Sequence, residues 1–316
     1  MIHSPRPNRA QALLCIIAAS FFWSLSGAFK AVLLTPTPLG LDSPPVQPMH
    51  IAFYRVFFAG LVLLPTLRRR DVRIYPRLLL LPACFAAMNW SFSTALASGT
   101  AANAIFLQYA APVWVYLAGI FWLGETPSRR ATVSTLFAAV GVVVILSGSW
   151  GGENPTVVSL ALASGVFYAG VLIGLRTFSA ESPRWLTVLN HLSAAAVLLP
   201  MALAVPLPSP GQLAWLFLFG AVQLGLPYWL MARGLKTVGA QEAGMLTLLE
   251  PLLNPLWAYL VSPATESPPS TTWLGGSLIL GGLAYRYWPP RQRRNAHSDR
   301  TSPSAEPADA GDDAAR

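Results

Sequence analysis

Three ionisable side chains lie inside stretches that are otherwise apolar: Lys30, Arg55 and Glu250. A charge at the centre of a bilayer helix costs roughly 2.5 to 3.5 kcal/mol, so each is a candidate for function or for a specific pairing. Glu250 stands about ten residues from either end of its apolar run, and Pro251 beside it removes a helix hydrogen bond. A carboxyl at that depth can take up and release a proton. Glu250 is therefore a candidate for proton coupling or for binding a cationic substrate group; the alternative is a structural carboxyl paired with Arg55 or bonded to a neighbouring helix. Arg55 lies about seven residues, or roughly 10 Å, from the nearer end of its run. Its guanidinium can hold a carboxylate through two parallel N–H bonds, or else satisfy backbone carbonyls of a broken helix or reach outward to water. Lys30 is about four residues from the end of its run, where its ammonium reaches the interface at little cost.

Aromatic and amide side chains cluster at mid-run positions: Trp23, Asn89, Trp90, Gln108, Tyr109, Tyr228, Asn254 and Trp257. Rings that stack on an apolar body beside amides that fix polar ends suit a cavity for an amphipathic solute. His50 and His191 have the chemistry of proton carriers, but a helix mouth for the first and Asn190 beside the second favour hydrogen-bonded interior roles. Glu125 and Glu266 fall at the ends of apolar runs, where they are expected to tie turns to backbone or to arginines, Glu125 to Arg129 or Arg130.

The elements that position these groups follow from composition. Of 316 residues, 54% are hydrophobic and 11% charged, against about 25% charged in soluble domains. A bilayer core needs roughly 20 apolar residues per helix. Ten such runs are present, at 11–34, 48–66, 77–97, 101–123, 131–149, 156–176, 185–205, 211–232, 240–261 and 271–288. The first is too long for the apolar core of a signal peptide, which is about 7 to 15 residues, and reads as a retained helix. Connections are short and rich in Pro and Gly, so no soluble domain fits between them. Cys15 and Cys84 both lie in apolar runs, which excludes a disulfide scaffold.

A net charge of +8 would suit a nucleic-acid binder only if gathered on a soluble face. Instead, all but two of the 21 basic residues fall on alternate loops of one side, and the two exceptions are Lys30 and Arg55. The other side carries only Asp42, Glu153 and Glu266. By the positive-inside rule both termini are cytoplasmic, and nucleic acid is not an expected partner.

Five runs precede the midpoint near Gly151 and five follow, so the halves must be inverted. Arg55 to Pro65 aligns with Asn190 to Pro200 at an offset of 135, and Leu96 to Pro112 with Leu235 to Pro251 at an offset of 139, both without gaps. Inverted repeats are the architecture of alternating-access carriers, with substrate near the midplane. The expected fold is an all-α polytopic membrane protein of ten transmembrane helices as two inverted five-helix repeats. Residues 1–10 form a cytoplasmic N-terminus, 11–149 and 156–288 the repeats, and 289–316 a disordered cytoplasmic tail.

Trp23 and Lys30 in the first run, Arg55 and Ala59 in the second, and Pro112 leading to Leu123-Gly124-Glu125 resemble the EamA-type transporters of the drug/metabolite transporter superfamily. The second half echoes this with Leu249-Glu250-Pro251, Glu266 and the Gly275 to Gly282 glycines; Glu266 lies 15 residues beyond Pro251, whereas Glu125 lies 13 beyond Pro112. The resemblance covers residues 11–288. It implies an inner-membrane carrier for small metabolites, favouring export, with a central cavity lined by both halves, and it gives Lys30 a place facing that cavity. The function expected is secondary transport of an amino acid or amphipathic compound, without a cofactor and with proton coupling as a candidate drive. Its partners are a small-molecule substrate and the lipid bilayer, with a homodimer compatible with the pattern. The alternatives are a flippase for lipids or lipid-linked sugars and, less favoured, an intramembrane enzyme; against the last, the chain has no HExxH, no paired membrane aspartates and no Ser/His pair at matching depth, and the lack of a phosphate-binding GxxxxGK[ST] argues against direct use of ATP.

Overall fold

The bundle is built from helices whose ends are written in local sequence. In the computed structural model, which describes residues 7–122, 124–149 and 154–288, helices and turns make up all the described secondary structure. The expected disordered tail, the midpoint loop at 150–153, Leu123 and residues 1–6 lie outside the described residues.

The first crossing pairs α1 (Arg9–Ser24) with α2 (Ser26–Leu34). Asn8 and Gln11 open it with a reciprocal cap, the Gln11 amide donating to Asn8 Oδ1 at 2.8 Å. Next come α3 (Pro48–Leu63) and α4 (Leu80–Ser98). A further crossing is split into α5 (Ala101–Gln108) and α6 (Ala111–Phe121), with Pro112 just past the break. Long uninterrupted helices follow: α7 (Arg129–Ser149), α8 (Pro155–Thr177) and α9 (Pro183–Leu203). Then α10 (Pro210–Leu218) and α11 (Leu226–Gly234) flank a π-helical segment, Phe219–Gly225.

Eight of these segments are long and apolar enough to cross a membrane. The ninth and tenth expected crossings are α12 (Ala240–Thr247) with α13 (Leu249–Val261), and α14 (Ser270–Tyr287). Neither meets the same mark among the described residues, because Glu250, Asn254 and two prolines lower the hydropathy of one and the Ser/Thr- and Gly-bearing α14 is less apolar. The structure thus supports an integral, multi-pass, all-helical protein with eight clear crossings.

Small residues set the closest packing, as expected of a membrane bundle. Gly141 on α7 and Gly275 on α14 face each other so closely that a Cβ on either would strike the other's carbonyl oxygen. In the π-helical segment, a Cβ on Gly220 would lie 2.7 Å from the carbonyl oxygen of Arg55. The Trp185 ring near the start of α9 is buried and donates to the Arg73 carbonyl at 2.8 Å.

Candidate transport cavity

Three interruptions of regular helix fall around one space in the middle of the bundle. They are Leu25 between α1 and α2, Tyr109–Ala110 between α5 and α6, and Leu248 between α12 and α13. Freed backbone groups at membrane depth are tolerated only when buried in protein or lining a cavity. A cavity of about 370 Å³ lies there, and its wall includes Trp23, Ser26, Tyr109, Leu248 and Glu250, all at or near the interruptions. Leu175, Met231, Gly244 and Tyr287 carry the wall toward the end of the bundle at which α8, α11 and α14 finish.

Of the residues singled out from sequence, Glu250, Arg55, Trp23, Gln108, Tyr109 and Tyr228 line this cavity. Glu250 Oε2 accepts a hydrogen bond from the Tyr109 hydroxyl at 2.8 Å. Arg55, only 4% exposed, donates from Nη2 to Asn89 Oδ1 at 3.1 Å. Asn89 is anchored in turn by donating to the Ala52 carbonyl at 2.8 Å. The guanidinium carbon sits 5.3 Å from the Phe92 ring centre and 5.6 Å from that of Phe219, in the range of cation–π attraction. Its Nε has no protein partner. Arg55 and Glu250 do not form an ion pair among the described residues, so the pairing considered for them from sequence is not what holds either. The Tyr228 ring meets Trp23 edge-on at 5.2 Å and His191 at 5.0 Å.

The other singled-out residues sit elsewhere. Asn89 stands behind Arg55, and Trp90 packs among the apolar side chains between α3, α4 and α9. Asn254 donates to the Ser26 hydroxyl, and Trp257 Nε1 donates to the Ser24 hydroxyl at 2.9 Å, so both clamp α13 to the Leu25 interruption. Lys30 neither reaches out to water nor lines the cavity. It is 5% exposed, donates to the Gly99 carbonyl at 2.9 Å and pairs with Glu266. The physical reason is that the Glu266 carboxylate and the Gly99 carbonyl satisfy the ammonium inside the bundle. Glu266 Oε2 also accepts from the Ala101 amide at 2.8 Å, capping α5. Glu125 pairs with Arg176 at 2.5 Å rather than with Arg129 or Arg130, because the loop after α6 meets the end of α8. His50 and His191 have the interior bonds expected, to the Pro206 and Thr187 carbonyls, each at 2.8 Å.

Five polar wall residues were not singled out: Ser26, Tyr168, Gln223, Thr247 and Tyr287. Gln223 belongs to the π-helical segment and donates to the Trp23 carbonyl at 2.9 Å, a position that a 3.6-residue period does not predict.

The profile of the EamA-like transporter family matches residues 10–147 and again 155–287. The chain belongs to the EamA-like transporter family. Among its relatives, an uncharacterised transporter of Archaeoglobus fulgidus is 29% identical over 74% of this chain and 85% of its own length. The uncharacterised transporter YwfM of Bacillus subtilis is 26% identical over 90% of this chain and 96% of its own. A protein of Rickettsia prowazekii named S-adenosylmethionine uptake transporter is 26% identical over 73% of this chain and 80% of its own. A solved structure at 18% identity superposes with a TM-score of 0.61 over 88% of this chain and 98% of that one, which speaks for the fold alone. EamA-like membership makes the protein a membrane transporter of small molecules rather than an enzyme.

Proposed function

We propose that this EamA-like transporter carries a small zwitterionic metabolite with an apolar or aromatic body, by alternating access. One observation carries the reading: an unpaired base and an acid, Arg55 and Glu250, share the wall of one cavity with the rings of Trp23, Tyr109 and Tyr228. Arg55 receives the carboxylate, held in place by Asn89, and Glu250 receives the ammonium or other cationic group. Gln108 and Gln223 take the remaining polar groups and the rings take the body. S-adenosylmethionine, the solute in the name of the Rickettsia relative, is of this class, with a carboxylate, an ammonium, a sulfonium and an aromatic base.

The same proposal includes ten crossings in two inverted five-helix repeats, residues 11–149 and 156–288, in the inner membrane with both termini cytoplasmic. Three things support it. The family profile matches twice. The short helices before the interruptions, α5 and α12, are 8 residues each and keep the sequence offset of 139. The basic residues alternate by loop, which places the Lys30–Glu266 pair at the outer face. Export is the expected direction and uptake the one printed for the Rickettsia relative, so both are assayed.

The test reconstitutes the purified protein in vesicles and follows labelled S-adenosylmethionine and zwitterionic amino acids in both directions, with and without a pH gradient. Saturable movement of at least one zwitterion is expected. Transport confined to dianions would overturn the assignment of Glu250. If Glu250 is the proton carrier, Glu250→Gln abolishes stimulation by the gradient; a variant still driven by it would remove Glu250 from coupling.

A further inference from the structure

A second cavity, of about 460 Å³, opens where α3 ends, α9 begins and α11 ends, and it differs from the first in charge. Its wall carries Arg68, Arg70, Arg184, Arg233 and Lys236 against a single carboxylate, Asp71. Placement of basic residues on one side of a membrane protein is expected as a mark of topology. Convergence of five of them on one pocket, from three separate elements and without an ion pair, is not. None of the five is paired among the described residues, and the acids nearby are engaged elsewhere. Asp71 accepts from the Arg68 amide at 3.2 Å, Glu181 from the Tyr75 hydroxyl at 3.3 Å, Glu242 from Arg9 at 3.0 Å and Glu125 from Arg176 at 2.5 Å. Arg233 is also oriented, its guanidinium carbon lying 4.8 Å from the centre of the Trp229 ring.

The rest of the wall combines the hydroxyls of Thr66, Ser182 and Thr187 with an apolar flank. Leu63, Trp229 and Leu235 continue the pocket, and the last two are 39% and 47% exposed. A cationic head above an exposed apolar flank at the edge of a membrane bundle fits an amphipathic anion, and a soluble phosphate would leave that flank unused. A zwitterionic headgroup would bring an ammonium to a pocket whose one carboxylate is occupied. We propose that this pocket binds the phosphodiester headgroup of an anionic phospholipid, with the acyl chains along Leu63, Trp229 and Leu235. Tyr228 lines both this pocket and the central cavity, so the headgroup sits one ring away from the transported solute.

The test titrates the detergent-solubilised full chain with phosphatidylglycerol and counts adducts by native mass spectrometry, so binding is read without any transport. Phosphatidylcholine and the chain-free headgroup glycerophosphoglycerol serve as comparison ligands. One tightly held phosphatidylglycerol per chain is expected, with phosphatidylcholine and the chain-free headgroup each weaker by roughly tenfold or more. Arg184→Gln/Arg233→Gln should weaken phosphatidylglycerol binding roughly 10- to 30-fold. Should that double variant fail to fold, Lys236→Gln, at an exposed position, should still weaken it by roughly threefold. Arg69→Gln, on the same loop but outside the pocket, should leave it unchanged. Equal binding of phosphatidylcholine, equal binding of the free headgroup, or equal loss in Arg69→Gln would each overturn the proposal.

Discussion

Lys30 with Glu266 and Arg55 with Glu250 are each a base and an acid drawn from distant parts of the chain into an apolar bundle. At the first pair, every strong group is answered: Lys30 meets Glu266 and the Gly99 carbonyl, and Glu266 meets Lys30 and the Ala101 amide. At the central pair the two charges share a wall without touching, and each is held by neutral partners, Asn89 for Arg55 and Tyr109 for Glu250. Burial of the bases does not separate the two sites, since Lys30 and Arg55 are both within 5% exposure, although Glu250 is partly exposed where Glu266 is buried. What separates them is whether the protein supplies the counter-charge. A site that supplies its own closes the bundle, and a site that withholds it leaves room for a charged guest.

The contrast can be broken most sharply at the Lys30–Glu266 pair. Lys30→Met leaves Glu266 charged and buried, and should cost about 3 to 5 kcal/mol of stability, read from thermal unfolding in detergent. Lys30→Met/Glu266→Met should recover most of that loss; a single variant that melts with the wild type would show that the pair does not hold this end of the bundle. At the centre the balance should reverse. Arg55→Gln should reduce transport at low substrate by at least roughly 30-fold, the equivalent of about 2 kcal/mol, while moving the melting temperature little. A large fall in melting temperature with normal transport would make Arg55 structural. Tyr109→Phe removes one hydrogen bond from Glu250 and should reduce transport roughly tenfold, measured as initial rates in vesicles. As a baseline, Arg176→Gln breaks the Glu125 pair, whose side chains are 69% and 44% exposed, and should change stability by less than about 1 kcal/mol.

Much of the frame was legible because membrane insertion constrains it so strongly. The apolar runs, the prolines at the helix interruptions and the small residues between α7 and α14 each state a local rule that the bundle obeys. The central site was partly legible for the same reason: Arg55 and Glu250 are costly inside a membrane, and Trp23, Gln108, Tyr109 and Tyr228 share their depth. Depth alone does not give the side of a helix. Asn254 and Trp257 have the right depth, yet both turn toward Ser26 and Ser24, and Trp90 turns into the packing beside α9. Lys30 was misplaced because its partner, Glu266, is 236 residues away and lies in a loop with altered spacing. Gln223 escaped because the π-helical turn shifts every residue in it from the face that α-helical spacing assigns.

Gly220 has a consequence for motion. With no side chain between them, the π-helical segment and α3 meet backbone to backbone at Arg55, and interlocked surfaces of that kind turn together rather than slide. The interruptions at Leu25, Tyr109 and Leu248 are the places where neighbouring elements can swing. Arg55 and Gln223 stand on opposite sides of that Gly220 contact. If that contact stays closed through the transport cycle, a solute held between those two groups meets the same spacing throughout while the walls opposite them change.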